Sequence, residues 1–235
     1  MDKTVASLAE AVAGIPDGAV VMIGGFGGSG GPIELIHALI DQGAKDLTVI
    51  NNNAGAGGVG IAALLDAGRV SKVICSYPRT SDPRAFNARY RAGEVELEIV
   101  PQGTLAERIR AGGAGIPAFY TPTSVGTELA DGKPVGEFEG KTYVQERWLK
   151  ADFALIKARD ADPHGNLTYN KAARNFSPLM AMACKTTIVQ ASNIVPLGAI
   201  DPEQVITPGI FTDRIVKVEN PAQEEVLVKE GATYP

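Results

Sequence analysis

Residues Asp17 to Pro32 read Asp-Gly-Ala-Val-Val-Met-Ile-Gly-Gly-Phe-Gly-Gly-Ser-Gly-Gly-Pro. The apolar run Ala19–Ile23 stops at a glycine cluster, and Pro32 opens a helical pattern, so the stretch predicts a strand, a glycine loop and a helix start. Glycine admits positive φ and lets a ligand approach the backbone with no Cβ in the way. The N-terminus of the following helix adds unpaired N–H groups and a partial positive charge, which favours anions or developing oxyanions.

Outward from this loop, strands alternate with helices. Apolar spacing at Val5, Leu8, Val12 and Ile15 predicts an amphipathic helix over Thr4–Ile15. A helix over Ile33–Gln42 ends at Gly43, and the short run Leu47–Ile50 ends at Asn51-Asn52-Asn53. A helix over Ile61–Ala67, a strand over Val70–Cys75 and a helix from Asp82-Pro83 to Arg91 follow. Val95–Val100 alternates as a strand and ends at Pro101-Gln102-Gly103; the next helix, Thr104–Arg110, is closed by Gly112-Gly113. This alternation predicts an open, mostly parallel α/β sheet with helices on both faces, in which ligands bind off the carboxyl ends of the strands. Residues 114–127 read as a long loop, and Val135–Val144 as a small hairpin insertion around Glu139-Gly140. Strands over Phe153–Ala158 and Thr186–Gln190, a helix over Pro178–Cys184 and strand-like Arg214–Val218 complete one domain, 1–218. Residues 219–235 read as a polar, weakly patterned tail.

The chain has 235 residues, 45% hydrophobic and 21% charged, which is enough for one sizeable core. A net charge of −5 argues against a nucleic-acid partner. Cys75 and Cys184 do not make a disulfide framework and suit a reducing compartment. Two histidines and two cysteines are poor material for a metal site. No apolar run nears the ~20 residues needed to span a bilayer, and no secretory signal pattern opens the chain, so the expectation is a cytoplasmic protein without a membrane partner.

Three expected strand ends carry unusual residues: the glycine loop, the asparagine triplet and Gln102. Gly25, Gly27 and Gly30 fit G-x-G-x-x-G, but the dinucleotide fingerprint also wants an acid at the end of the next strand, where asparagines stand. A tight turn that only packs a helix on a sheet is the other reading of the glycines. Asn52 and Asn53 suit turns; with Gln102 they also supply amides that hold a carboxylate or donate to an oxyanion without burying net charge. No G-x-S-x-G elbow is present. His164 reads as a turn residue, His37 as a packing residue on a helix, and Cys75 and Cys184 as apolar fillers. Glu34, Glu107 and Glu128 fall near the expected site at helix starts, where acids serve the dipole, and Glu94, Glu96 and Glu98 read as a solvated strand face. None of these is a convincing covalent catalyst.

Asp17-Gly18, the apolar Val21–Ile23, Gly24-Gly25-Phe26, Gly30 and Pro32 closely resemble the signature of the A (alpha) subunits of 3-oxoacid CoA-transferases. The similarity continues through Asn52-Asn53-Ala54-Gly55, Pro101–Arg108, Phe119–Thr123, Gly165-Asn166-Leu167, Ala173–Phe176 and Thr207–Ile210. The resemblance implies a heteromeric enzyme, a heterodimer or an A2B2 assembly, whose B subunit carries a glutamate nucleophile in a Ser-Glu-Asn-Gly motif. That motif is absent here; the nearest string is Val218-Glu219-Asn220-Pro221. It also implies that Gly24, Gly25, Phe26, Gly27, Gly28, Ser29 and Gly30 cradle coenzyme A or its thioester, and that Asn52, Asn53 and Gln102 line the carboxylate and oxyanion pocket. No permanently bound cofactor is expected; the coenzyme A thioester is a substrate, together with carboxylic acids. The expected reaction moves CoA from succinyl-CoA to a 3-oxoacid, 3-oxoadipate ahead of acetoacetate. A non-catalytic binder of CoA or a sugar phosphate on the same scaffold is the alternative. Relatives carry bulkier loop residues where this chain has Gly28, Ser29 and Gly31.

Overall fold

A computed structural model describes residues 1–234. Seven parallel strands form the central sheet: β1 (Val20–Ile23), β2 (Leu47–Ile50), β3 (Val70–Cys75), β4 (Glu96–Ile99), β8 (Ala151–Ala161), β9 (Cys184–Ile194) and β10 (Arg214–Lys217). They lie side by side in the order β10-β9-β8-β1-β2-β3-β4. Side chains alternate across the sheet. Val21, Ile23, Leu47, Val49 and Val73 enter the core under α2 (Ile33–Gln42), α3 (Gly60–Asp66) and α4 (Arg84–Arg91). Met22, Ile50 and Ile74 enter the opposite core under α5 (Gln102–Ala114) and α6 (Ser177–Ala183). The chain starts in mid-sheet, runs outward through β2 to β4, then returns to the other side of β1 at β8. Such a switch in winding direction leaves a crevice at the carboxyl ends of the strands, here between β1 and β8.

The α/β class and the parallel sheet agree with expectation, and three local readings are corrected. The first helix, α1, covers only Leu8–Val12, capped by Ser7; the residues before it are drawn to the sheet edge, where the Val5 N–H donates to the Ile215 carbonyl over 2.8 Å. Helix α5 runs through Gly112-Gly113 to Ala114, because Gly112 packs so closely on Leu149 that a Cβ there would collide with its carbonyl oxygen. The expected loop 114–127 contains β5 (Ala118–Thr121), so the hairpin of β6 (Val135–Phe138) and β7 (Lys141–Arg147) is part of a three-stranded antiparallel sheet, β5-β7-β6. Its turn residues Glu139 and Gly140 both have positive φ, 50° and 70°, as a two-residue hairpin turn needs. The acidic face along β4 is solvated at Glu94 and Glu96, as expected; Glu96 and Glu98 also meet Lys72, and Glu98 meets Arg108 at 2.9 Å.

The segment after Val218 is the largest difference. It folds back over the strand ends, forms α7 (Glu224–Lys229), and returns to α2 and α3. Ala222 is held from both sides: its N–H donates to Glu34 Oε1 (2.5 Å) and its carbonyl accepts from Lys157 Nζ (3.0 Å). The Tyr234 ring packs on His37 at 4.5 Å, its hydroxyl donates to Asp41, and its N–H donates to the Gly58 carbonyl over 2.8 Å. Polar composition hid this packing, because the segment docks through backbone and anchored ends and carries no buried apolar stripe of its own. No helix among the described residues is long and apolar enough to cross a membrane.

Candidate active site

The glycine loop is fastened at its root and reaches a cavity at its tip. The Gly24 N–H donates to the Leu155 carbonyl of β8 (2.9 Å), and the Gly25 N–H to Asn175 Oδ1 (3.1 Å). Asn175 also donates from Nδ2 to the Ser29 carbonyl over 3.0 Å. Gly30, with φ 79°, lies so close to the Ala173 carbonyl that any Cβ would collide with it. Between these anchors Phe26 and Ser29 exchange backbone hydrogen bonds of 2.9 and 3.1 Å, which leaves Gly27-Gly28 at the tip. Asn175, in the β8–β9 crossover, has the unusual backbone angle φ 24°. Residues held in sparsely populated conformations concentrate at functional sites.

The end of β2 presents its amides with their carbonyl oxygens already occupied. Asn51 ties the strand ends together, donating to the Ile23 carbonyl (2.6 Å) and accepting from the Asn53 N–H (2.9 Å). Asn53 Oδ1 accepts from the Gly55 N–H (2.7 Å). Asn52 Oδ1 accepts from Ser76 Oγ, at the end of β3, and from Gln102 Nε2, at the start of α5, over 2.7 and 2.9 Å. The Nδ2 groups of Asn52 and Asn53 donate to no protein atom among the described residues, although the side chains are only 6% and 7% exposed. What remains for a ligand is a set of amide donors, suited to a carboxylate or to an oxyanion that forms transiently.

These donors open into a cavity of about 820 Å³. Phe26, Gly27, Gly28, Asn52, Asn53 and Gln102 all line it. Gly24 and Gly25 instead border a cavity of about 10 Å³ beneath the loop, shared with Asn51 and Asn53. Ser29 and Gly30 face the Asn175 crossover and line neither cavity. Glu34, Glu107 and Glu128 do not line the large cavity either: Glu34 holds Ala222 and Gln190, Glu107 pairs with Arg110 at 2.7 Å, and Glu128 stands in a short 3-10 turn beside the small sheet.

Sequence reasoning missed two contributors. The loop after β3 brings Ser76, Tyr77, Thr80 and Asp82 to the cavity; its Ser-Tyr-Pro-Arg-Thr string is polar turn material with no motif to single it out. The C-terminal segment brings Glu224, Glu225, Val228 and Lys229. Burial with no compensating partner pushes the Glu224 carboxyl up to about 7, and the Arg84 guanidinium beside Asp82 holds that carboxyl low. The thiols offer no nucleophile at neutral pH: burial raises Cys75 to about 11 and Cys184 further still. Burial also lowers the pKa of His37, whose Nε2 accepts from the Gly60 N–H over 3.0 Å.

A parallel α/β sheet, a fastened glycine loop and an amide-lined cavity over the carboxyl ends of β1, β2 and β3 suit small-molecule acyl or group transfer. Residues 5–218 match the coenzyme A transferase family, and the chain belongs to that family. It is 58% identical over 226 residues to the A subunit of the 3-oxoadipate CoA-transferase of Pseudomonas putida, covering 96% of this chain and 98% of that one. It is 51% identical over 232 residues to the A subunit of the succinyl-CoA:3-ketoacid coenzyme A transferase of Xanthomonas campestris pv. campestris, covering 97% and 95%. The fold is shared with glutaconate coenzyme A-transferase of Acidaminococcus fermentans (TM-score 0.83, 24% identity, 98% of this chain and 84% of that one). It is shared also with the acyl-CoA transferase YdiF of Escherichia coli O157:H7 (TM-score 0.82, 24% identity), where 94% of this chain spans 48% of that one. These relatives do not favour the alternative of a non-catalytic binder.

Proposed function

We propose that this chain is the A subunit of a cytoplasmic CoA-transferase that moves CoA from succinyl-CoA to a 3-oxoacid, with 3-oxoadipate ahead of acetoacetate. The observation that carries the reading is the convergence of Asn52, Asn53 and Gln102 on one cavity beside the tip of the glycine loop. The relatives named as A subunits of 3-oxoadipate and succinyl-CoA:3-ketoacid transferases support the substrate class and the existence of a B subunit. In this scheme the thioester carbonyl is attacked by a glutamate carboxylate of the B subunit. Loss of CoA thiolate leaves an acyl-glutamyl anhydride, and the thiolate then attacks the glutamyl carbonyl and expels succinate. The acceptor acid repeats the two steps in reverse. Each addition places negative charge on a carbonyl oxygen, and one aimed donor is worth about 3 kcal/mol there. The covalent intermediate divides one difficult transfer into easier steps. The carboxylates that this chain itself contributes suit the nucleophile's role poorly: Asp82 is held by Arg84 at 2.7 Å, Glu225 pairs with Lys229 at 2.8 Å, and burial pushes Glu224 up to about 7.

The test is CoA exchange between succinate and 3-oxoacids, with the chain alone and with a candidate B chain containing Ser-Glu-Asn-Gly. Turnover is expected only with both chains; robust turnover by the isolated chain overturns this division of labour.

A further inference from the structure

The C-terminal segment lies in a track of glycines. A Cβ on Gly28 would stand 3.0 Å from Glu225 Cβ and 3.1 Å from its backbone nitrogen, one on Gly57 would stand 3.0 Å from Val228 Cγ2, and one on Gly58 would stand 2.8 Å from Thr233 Cγ2. At Gly58 that is closer than Cβ atoms come, and at Gly28 and Gly57 it is tighter than nearly all of them, so a side chain at any of the three would press on the segment. With Ala222 clamped by Glu34 and Lys157, and Tyr234 seated on His37, α7 is fixed at both ends against the cavity.

Lys229 is the only cation among the described residues that line this cavity. Its partner is Glu225, at 2.8 Å and four residues earlier on the same helix, with side chains 73% and 71% exposed. Exposed helix pairs of this kind contribute little, so an incoming carboxylate can replace Glu225 at little cost. Asp82 does not compete for Lys229, because Arg84 holds it through two hydrogen bonds of 2.8 and 2.7 Å.

We propose that the C-terminal segment is a wall of the acyl pocket and that Lys229 takes the distal carboxylate of the acid, so that the site selects dicarboxylic over monocarboxylic 3-oxoacids. The inference rests on the transferase reading above. Amides at one end of the cavity meet the reacting carboxyl, and the ammonium on α7 meets the other. A charge-assisted hydrogen bond of this kind discriminates an acid that bears the second carboxylate from one that lacks it.

The experiment compares kcat/KM for 3-oxoadipate with that for acetoacetate in the reconstituted pair. Lys229→Met is expected to lower the ratio about tenfold, chiefly through KM for the dicarboxylic acid. Lys229→Arg is expected to restore most of it, and Glu225→Gln, which frees the ammonium, to raise it. Removal of residues 219–235 is expected to lower the ratio as Lys229→Met does. A ratio in Lys229→Met within twofold of the unmodified pair, or an equal loss for both acids, overturns the inference. A pair that turns over neither acid overturns the transferase reading instead. Hydrogen exchange of residues 224–229 in the isolated chain, with adipate or hexanoate as the probe, then decides without turnover. Protection by adipate alone that is lost in Lys229→Met upholds the assignment, and equal protection by the two acids, or none by either, overturns it.

Discussion

The side-chain amide of Gln102, at the first position of α5, donates to Oδ1 of Asn52, at the end of β2, over 2.9 Å across 50 residues of sequence. With Ser76 Oγ on the same oxygen at 2.7 Å, the Asn52 amide is fixed in orientation, its Nδ2 left free of protein partners at the cavity. Pre-organised donors of this kind need no reorganisation when charge develops on a reacting carbonyl.

Replacement of Asn52 by Ala therefore removes an oriented donor and is expected to lower kcat of the reconstituted pair by about 10²- to 10³-fold. Gln102→Ala both loses a donor and loosens Asn52. The two substitutions share one hydrogen bond, so their effects are expected to be non-additive in a double-mutant cycle. Steady-state kinetics on the four proteins checks this. A fully additive cycle would contradict the shared orientation.

Asn175 joins the β8–β9 crossover to the glycine loop through Gly25 and Ser29, at 3.1 and 3.0 Å. Asn175→Ala leaves the Gly25 N–H and the Ser29 carbonyl without these partners. The expected loss of stability is about 1–3 kcal/mol, accompanied by a raised KM for the thioester. Urea denaturation and initial-rate kinetics measure the two effects separately.

Docking of the C-terminal segment is expected to weaken as pH rises. Burial raises the Glu224 carboxyl from its ordinary 4.5 to about 7, so the docked segment holds more protons than the undocked one. Below about 4.5 both forms are protonated and docking carries no ionic penalty; the penalty grows through the window up to about 7 and is complete above it. Hydrogen exchange of α7 amides between pH 5 and pH 8, at roughly 25 °C and corrected for intrinsic rates, is expected to show this slope. Glu224→Gln is expected to remove this decline and to hold the segment more firmly at the upper end, leaving the opposite trend of His37, whose burial beside Tyr234 disfavours the protonated ring. A slope unchanged in Glu224→Gln assigns the titration elsewhere.

Glu146 is 2% exposed and sits between Lys133 at 2.6 Å and Arg108 at 4.0 Å, the latter also bound to Glu98. This chain of charges fastens the small sheet to α5 and β4. Glu146→Ala is expected to destabilise the protein by about 1–3 kcal/mol, chiefly through loss of the Lys133 hydrogen bond, since Arg108 keeps Glu98 at 2.9 Å. Its effect on KM is expected to be small, because Glu146 lies outside the cavity lining. Chemical denaturation with parallel kinetics checks both.

Cys75 and Cys184 are expected to resist iodoacetamide at neutral pH, since burial raises both thiols and leaves little thiolate. Full modification in the native state, read by mass spectrometry, would contradict this placement.

Much of the sheet was legible because its strands are short apolar runs cut off by glycine, asparagine or proline, and α2, β2 and β3 have the limits that apolar periodicity assigns them. The glycine loop, Asn52, Asn53 and Gln102 could be singled out for the same reason: parallel sheets put ligands at strand ends, and those ends are marked by residue type. Local pattern failed where a partner distant in sequence decides the conformation. Gly112 reads as a helix stop, yet it is a point of contact with Leu149. Asn175 falls in the Ala173–Phe176 stretch of the resemblance with no role attached to it, and only the crossover brings its amide to Gly25. Residues 219–234 lack a hydrophobic period, because they are held by Glu34, Lys157, His37 and a glycine track that no local window contains. The sequence by itself determined the α/β class, the family and the donor set, since these depend on local periodicity and on residue chemistry. Which of those donors face a common cavity, and that the C-terminal segment closes one side of it, was decided by the tertiary structure, because both depend on contacts between residues far apart in the chain.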